Sequence, residues 1–257
     1  MKKYVLDLIV SSVDHLTDKY ILLKLTHDEQ LPMMSPGQFV EIKVENSPQT
    51  MLRRPISIHY VDEQQNQLWL LVACVGEGTR HLARIQSGDR LNCVLPLGTG
   101  FTLPSNTEER ILLVGGGVGI APLLYFGKQI KQFGAEPTFL LGGRSASDLL
   151  ELDLFRRYGN VSITTEDGTL GEKGFVTEHS ILGSRTFTRI VSCGPKPMMM
   201  AVARYARQQQ VPCEVSLENL MACGLGACLC CVEKTTEGHV CVCTEGPVFN
   251  IDRLLWD

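Results

Sequence analysis

The sequence predicts an α+β multi-domain chain with an N-terminal antiparallel β-barrel, an α/β doubly wound parallel sheet and a small C-terminal cysteine-rich domain. Three observations carry that prediction. Residues 1–100 hold short β-rich runs separated by turn residues, with no sustained helical period. From Arg110 onward, strand-like runs alternate with helical ones, the pattern of a parallel sheet covered by helices. Six of the ten cysteines crowd between Cys223 and Cys243. The boundaries fall near residues 100 and 212, giving parts 1–100, 101–212 and 213–257.

In the first part, strands are expected at 20–25, 38–44, 56–60, 67–75 and 90–95, a spacing that suits a small barrel. Within it, Arg53-Arg54-Pro55-Ile56-Ser57 combines a stiff backbone with donors on Arg54 and Ser57. Such an arginine suits a pyrophosphate, and a strand hydroxyl suits a flavin ring edge. The same residues also read as an edge-strand proline beside a solvated arginine. Gly76-Glu77-Gly78-Thr79 reads as a flexible turn carrying a hydroxyl.

In the second part, strands are expected at 111–114, 138–141, 161–164 and 189–193, with helices after Pro122 and Pro195. The run Val114-Gly115-Gly116-Gly117-Val118-Gly119-Ile120-Ala121-Pro122 lies where a strand turns into a helix. There a bare backbone can approach a pyrophosphate at a helix N-terminus. Ile120 stands where a strict dinucleotide fingerprint has its third glycine. Gly142, Gly143 and Arg144 stand where an acidic residue would meet a ribose, and Arg144 suits either a ribose or a 2′-phosphate. A tight strand-to-helix corner explains the glycines equally well when they are read alone.

The third part opens with a strand at 213–217 and runs into the cysteines. Cys223, Cys228 and Cys231 have the C-x4-C-x2-C spacing of plant-type iron-sulfur ligation. Either Cys241 or Cys243 can supply a fourth thiolate. Gly224, Leu225, Gly226 and Ala227 form a slim loop able to aim N–H groups at sulfur. A 2Fe-2S centre moves one electron at a time, so the rest of the chain should supply an electron source or sink. The competing reading is a zinc staple built on Cys228 and Cys231 with Cys241, Cys243 or His239. Zinc leaves Cys223 and its neighbouring glycines without a role.

Composition narrows the classes. With a net charge of −4 and scattered Lys and Arg, the 257-residue chain has no basic stripe for nucleic acid. No run approaches the ~20 apolar residues of a membrane span. The basic N-terminus leads into no cleavage site, so the thiols read as metal ligands of a cytoplasmic protein rather than as a disulfide framework. The six histidines form no visible catalytic pair.

Taken together, the Arg-Pro-x-Ser segment, the Gly-Gly-x-Gly-x-Ala-Pro turn and Cys193-Gly194-Pro195 resemble the ferredoxin-reductase superfamily, in the same order along the chain. Cys-Gly-x-Gly-x-Cys-x-x-Cys, followed by Cys243-Thr244-Glu245-Gly246-Pro247-Val248-Phe249, resembles the electron-transfer subunits of type B dihydroorotate dehydrogenases. The resemblance implies FAD held by Arg54, Pro55, Ile56, Ser57, Leu71, Val72, Ala73, Gly78 and Thr79. It implies NAD at Gly115, Gly116, Gly117, Gly119 and Pro122, with Cys193 close to the nicotinamide in a steric or polarising role. Cys193 also reads simply as a small buried residue before a helix-starting proline. The family pattern selects Cys223, Cys228, Cys231 and Cys243 as cluster ligands, leaving Cys230 and Cys241 as extra thiols. Met198, Met199 and Met200 read as core.

The function implied is a conduit in pyrimidine biosynthesis. Electrons pass from an FMN-containing catalytic subunit through 2Fe-2S and FAD to NAD+, in a heterotetramer of two of each subunit. Related readings are an NAD(P)H-dependent ferredoxin reductase subunit or a sulfhydrogenase gamma-type subunit. Some relatives carry an acidic residue at the first ligand, where this chain has Cys223. A zinc-stapled nucleotide-binding regulator is the non-redox alternative.

Overall fold

The computed structural model describes residues 2–256. The chain forms two compact units. The first comprises the residues up to Gly100 together with Asn219–Glu233 and His239–Pro247. The second comprises Phe101–Glu218, Lys234–Gly238 and the residues from Val248 onward.

In the first unit, seven strands precede or follow one short helix: β1 Tyr4–Thr17, β2 Tyr20–Thr26, β3 Phe39–Ile42, β4 Arg54–Ser57, β5 Tyr60–Asp62, β6 Gln67–Ala73, α1 Glu77–Leu82 and β7 Arg90–Leu97. They make one antiparallel sheet in the order β4-β3-β7-β1-β2-β6-β5. The outermost strands, β4 and β5, are joined by only Ile58 and His59. A two-residue link spans about 10 Å at most, so the sheet must curl until its edges meet. The backbone records the crossing, since Ile58 N–H bonds Gln38 at 2.9 Å while His59 N–H bonds Trp69 at 3.0 Å. The strand expected at 56–60 is therefore two strands on opposite edges. Leu8, Leu23, Leu25, Val40, Ile42, Leu68 and Leu70 fill the interior.

The second unit is built on β8 Ile111–Gly116, α2 Ala121–Phe133, β9 Thr138–Gly143, α3 Leu152–Tyr158, β10 Asn160–Thr165, β11 Glu172–Lys173, α4 Ile181–Ser184, β12 Arg189–Cys193, α5 Lys196–Gln208 and β13 Cys213–Ser216. The remaining elements of the chain are β14 Val232–Thr235 and β15 Gly238–Cys241, whose residues are divided between the two units, α6 Val242–Glu245 of the first unit and β16 Val248–Asn250 of the second. The large sheet runs β11-β10-β9-β8-β12-β13-β16, while β14 and β15 pair as a separate ribbon. All the large-sheet pairings are parallel except that of β16, which closes the edge antiparallel to β13. Continuous apolar runs such as Ile111-Leu112-Leu113-Val114 suit strands buried on both faces. The chain proceeds outward from β8 through β9 and β10, then returns to place β12 on the other side of β8. That reversal creates a switch point between β8 and β12, where open α/β sheets bind ligands. Arg207 ties the chain end to this unit by donating to the carbonyls of Ile251 at 3.0 Å and Trp256 at 2.7 Å. Among the described residues, no helix is long and apolar enough to cross a membrane.

Candidate functional site

The cysteine-rich loop shows how the sequence builds a sulfur-directed cradle. Gly224 and Gly226 take φ values of 63° and 83°, conformations costly for residues with a Cβ. These turns aim amides inward: Leu225 N–H lies 3.3 Å from Cys223 Sγ, and Gly226 N–H lies 3.2 Å from Cys243 Sγ. Cys243 N–H in turn reaches Cys231 Sγ at 3.4 Å. Burial alone would raise the Cys223 thiol, but the amides of Leu225, Cys228 and Ala227 and the Cys228 thiol bring it down to about 6. A thiol so lowered is ready to act as a thiolate ligand.

The thiols lie within one another's influence: Cys223 interacts with Cys228, and Cys231 with both Cys243 and Cys241. Two thiolates per iron is the donor arrangement of a two-iron cluster, and these residues fit that group. Burial and the neighbouring Cys231 push the Cys243 thiol up to about 12, the opposite direction from Cys223. Cys241 ends β15, whereas Cys243 lies in the helical turn α6. Cys241 Sγ turns to the Gly226 carbonyl at 3.9 Å, and Cys230 is exposed. All ten cysteines are free thiols.

On the barrel, the adjacent arginines divide their work. Arg53 donates to the carbonyls of Glu41 at 3.3 Å and Asn92 at 2.8 Å, and so clamps β3 and β7. Arg54 bonds the nearby carbonyls of Leu52 and Arg53, with its Nε 2.8 Å from where a Cβ on Gly78 would lie. The fold thus brings Arg54 and Gly78 together from β4 and α1. Arg54, Pro55, Ile56 and Ser57 are all half-buried on an edge strand, where a proline costs no ladder bond. Leu71 and Val72 are buried in β6, while Ala73 at its end is half-exposed. The turn expected at 76–79 is the start of α1, because Thr79 Oγ1 accepts from Gly76 N–H at 3.0 Å and caps it.

In the second unit, the glycine-rich run leaves β8 at the switch point. A Cβ on Gly119 would lie 2.4 Å from Gly194 Cα and 2.6 Å from the Cys193 carbonyl, so this turn packs bare backbone against the end of β12. Gly117 has φ 56°, and a Cβ there would meet open space. Pro122 occupies the first turn of α2, where its missing N–H costs nothing. Gly115 and Gly116 face Ile120 and Met198, so Met198 packs on the turn while Met199 joins the core. Arg144 Nε stands 3.4 Å from the Asp148 carboxylate at the end of β9.

Cys193 is fully buried, with Sγ 3.9 Å from Glu218 Oε1. Burial and the Glu218 charge hold this thiol well above its ordinary range, so it remains protonated and uncharged. Glu218 keeps an exposed surface, yet the protein packed around it raises its carboxyl. Sequence reading missed this partner because the contact joins β12 to a residue two past the end of β13, a proximity that the parallel pairing creates. It also missed Glu41, a fully buried acid on β3, whose signal was a lone charge within Phe39-Val40-Glu41-Ile42. Burial pushes the Glu41 carboxyl up to about 7, opposed by Arg53 and assisted by Cys223.

Comparison with known proteins agrees with this geometry. The profile of the iron-sulfur cluster binding domain of dihydroorotate dehydrogenase B matches residues 218–255, and that of the oxidoreductase NAD-binding domain matches residues 113–204. The dihydroorotate dehydrogenase B (NAD(+)) electron transfer subunit of Shouchella clausii is 38% identical over 253 residues, covering 96% of each chain. The Bacillus velezensis protein of the same name is 37% identical, covering 96% of this chain and 97% of its own. Among solved structures, a NADH-dependent reduced ferredoxin-NADP oxidoreductase described for flavin-based electron bifurcation superposes with a TM-score of 0.87. It is 29% identical and is matched over 100% of this chain and 92% of its own. A ferredoxin NADP+ reductase from Neisseria gonorrhoeae shares the fold at 18% identity and a TM-score of 0.65, over 81% of this chain and 93% of its own. The clustered thiols, the switch-point glycine turn and the near-complete match to these subunits lead to one conclusion: the chain belongs to the family of electron transfer subunits of NAD+-linked dihydroorotate dehydrogenase B.

Proposed function

We propose that the chain serves as a three-part conduit, with FAD on the barrel (1–100), NAD on the parallel sheet (101–212) and a 2Fe-2S cluster in the last segment (213–257). The observation that carries this reading is the glycine-bearing loop that aims the amides of Leu225, Gly226 and Cys243 at the sulfurs of Cys223, Cys243 and Cys231, with Cys228 beside Cys223. When bound, the flavin exchanges a hydride with the nicotinamide and single electrons with the iron-sulfur centre.

The protein's own residues bind, orient and exclude water. Arg54 and Ser57 hold the flavin pyrophosphate and ring edge, with Pro55, Ile56, Leu71, Val72, Ala73, Gly78 and Thr79 lining the site. Gly115, Gly116, Gly117, Gly119 and Pro122 offer bare backbone and the N-terminus of α2 to the dinucleotide pyrophosphate. Cys193, kept neutral by burial, supplies an uncharged thiol beside the nicotinamide, and Glu218 orients it. A neutral group there avoids trapping either charge state of the nicotinamide ring.

The partner is an FMN-containing catalytic subunit that oxidises dihydroorotate, assembled with this chain in the cytoplasm as a heterotetramer of two of each. Exposed Leu220, Leu225 and Leu229 beside Cys228 and Cys230 support a docking face on the cluster loop, since apolar surface around a redox centre favours close approach. Affinity purification from native extract, followed by absorbance spectra and light scattering, tests the reading. The expected result is flavin and iron-sulfur bands that bleach with anaerobic NADH, and a co-purifying FMN protein active on dihydroorotate. A colourless zinc protein would overturn it.

A further inference from the structure

Glu41 occupies a position that packing alone does not explain. It lies on β3 opposite Pro55 of β4 and Val94 of β7, and none of its surface is exposed. Both carboxyl oxygens are buried without a hydrogen-bond partner among the described residues. Arg53 donates to the backbone carbonyl of Glu41 and to Asn92, so its charge reaches the Glu41 carboxyl through space and not through a hydrogen bond. A leucine or methionine would fill the same volume without burying unpaired polar atoms, which is a costly thing to do.

The same side chain supports the cluster loop. A Cβ placed on Gly224 would stand 2.8 Å from Glu41 Cγ, 3.4 Å from Oε1 and 2.9 Å from Leu97 Cδ1. The left-handed turn following Cys223 therefore rests directly on Glu41, and only glycine allows that approach. An unpartnered polar group beneath a sulfur-binding turn, where metal sites place orienting contacts, points to a role toward that turn. We propose that Glu41 is a positioning residue of the iron-sulfur centre, its buried carboxyl forming the polar seat on which the Cys223–Gly224 turn is held when the cluster is bound. This rests on the ligand assignment above.

The test compares the full chain with Glu41→Gln, which keeps shape and polarity, and Glu41→Leu, which keeps bulk and removes the polar group. Each is reconstituted anaerobically and assayed for iron, sulfide and FAD, for the rate of cluster loss to EDTA, for the EPR spectrum after dithionite, and for Tm of the cluster-free chain. Glu41→Leu should keep FAD and an equal or higher cluster-free Tm, yet lose its cluster about tenfold faster and show an altered EPR line shape. Glu41→Gln should stay within about twofold of the parent. Parental cluster retention and EPR in Glu41→Leu would overturn the proposal. So would failure of Glu41→Gln to rescue, or parallel loss of FAD, Tm and cluster. A parent chain that binds no iron would overturn the ligand assignment, and the proposal with it.

Discussion

Single residues divide here into those that hold a cofactor and those that hold the fold. Cys223 is proposed for the first group: amides lower its thiol to about 6, and it lies on a loop separate from the barrel strands proposed to hold FAD. Cys223→Ser should remove or severely deplete iron and sulfide while leaving FAD in place, as measured by metal and flavin analysis; full iron retention would sink the assignment. Glu109 belongs to the second, paired with Arg189 at 2.6 Å with both side chains largely buried. Burial alone would raise its carboxyl, but the Ser105 hydroxyl and amide and the Arg189 guanidinium outweigh that and hold it below the ordinary range. A depressed folded pKa means stability that is fully present above the ordinary carboxylate value and is lost as pH falls through the depressed one. Glu109→Gln should lower stability by about 3 kcal/mol at pH 7, because Arg189 stays buried and unpaired, and should flatten the acid limb of a Tm-versus-pH curve. An unchanged acid limb would contradict this role for the pair.

At the scale of elements, the sites lie where strands end. Gly119 brings the turn after β8 against Gly194 at the end of β12, so Gly119→Ala forces these two segments apart. Overpacking of this kind costs about 1–3 kcal/mol, and the variant should bind NADH at least about tenfold more weakly with FAD and cluster spectra intact. Unchanged NADH affinity by titration would remove the turn from the nucleotide site. On β4, Arg54→Ala combined with Ser57→Ala should weaken FAD retention through dialysis, since the two side-chain donors proposed to hold the flavin are both removed. The apolar runs of β2, β6, β8 and β12 were legible because buried strands write themselves as continuous hydrophobic sequence. By contrast, β1 was not legible: its polar stretch Ser11-Ser12-Val13-Asp14-His15 and two register shifts break the alternation that marks a strand. α1 was hidden because its capping depends on Thr79 folding back on Gly76, a local bond that composition does not reveal.

Across the whole molecule, motif order carried more information than any motif alone. The proline-arginine strand, the glycine turn and the cysteine spacing each have an ordinary structural reading, and only their succession points to electron transfer. Closure of the barrel was legible as a class, though not in its cause, the two-residue link between β4 and β5. Contacts between distant segments were not legible, which is why Glu218 beside Cys193 and Glu41 beneath Gly224 emerged only from the fold. The cysteine motif was readable because spacing is a local feature of sequence, whereas the placement of Cys241 on a strand and Cys243 in a helical turn emerged only from the fold.

The central claim is that one chain couples a two-electron carrier to a one-electron centre. Anaerobic NADH titration of the purified chain, followed by absorbance and EPR, tests it most directly. FAD takes two electrons and a 2Fe-2S cluster takes one, so the account predicts bleaching of both bands, a reduced-cluster EPR signal and an endpoint near about 1.5 NADH per chain. An endpoint near about one NADH without a cluster signal, or no bleaching at all, would contradict it.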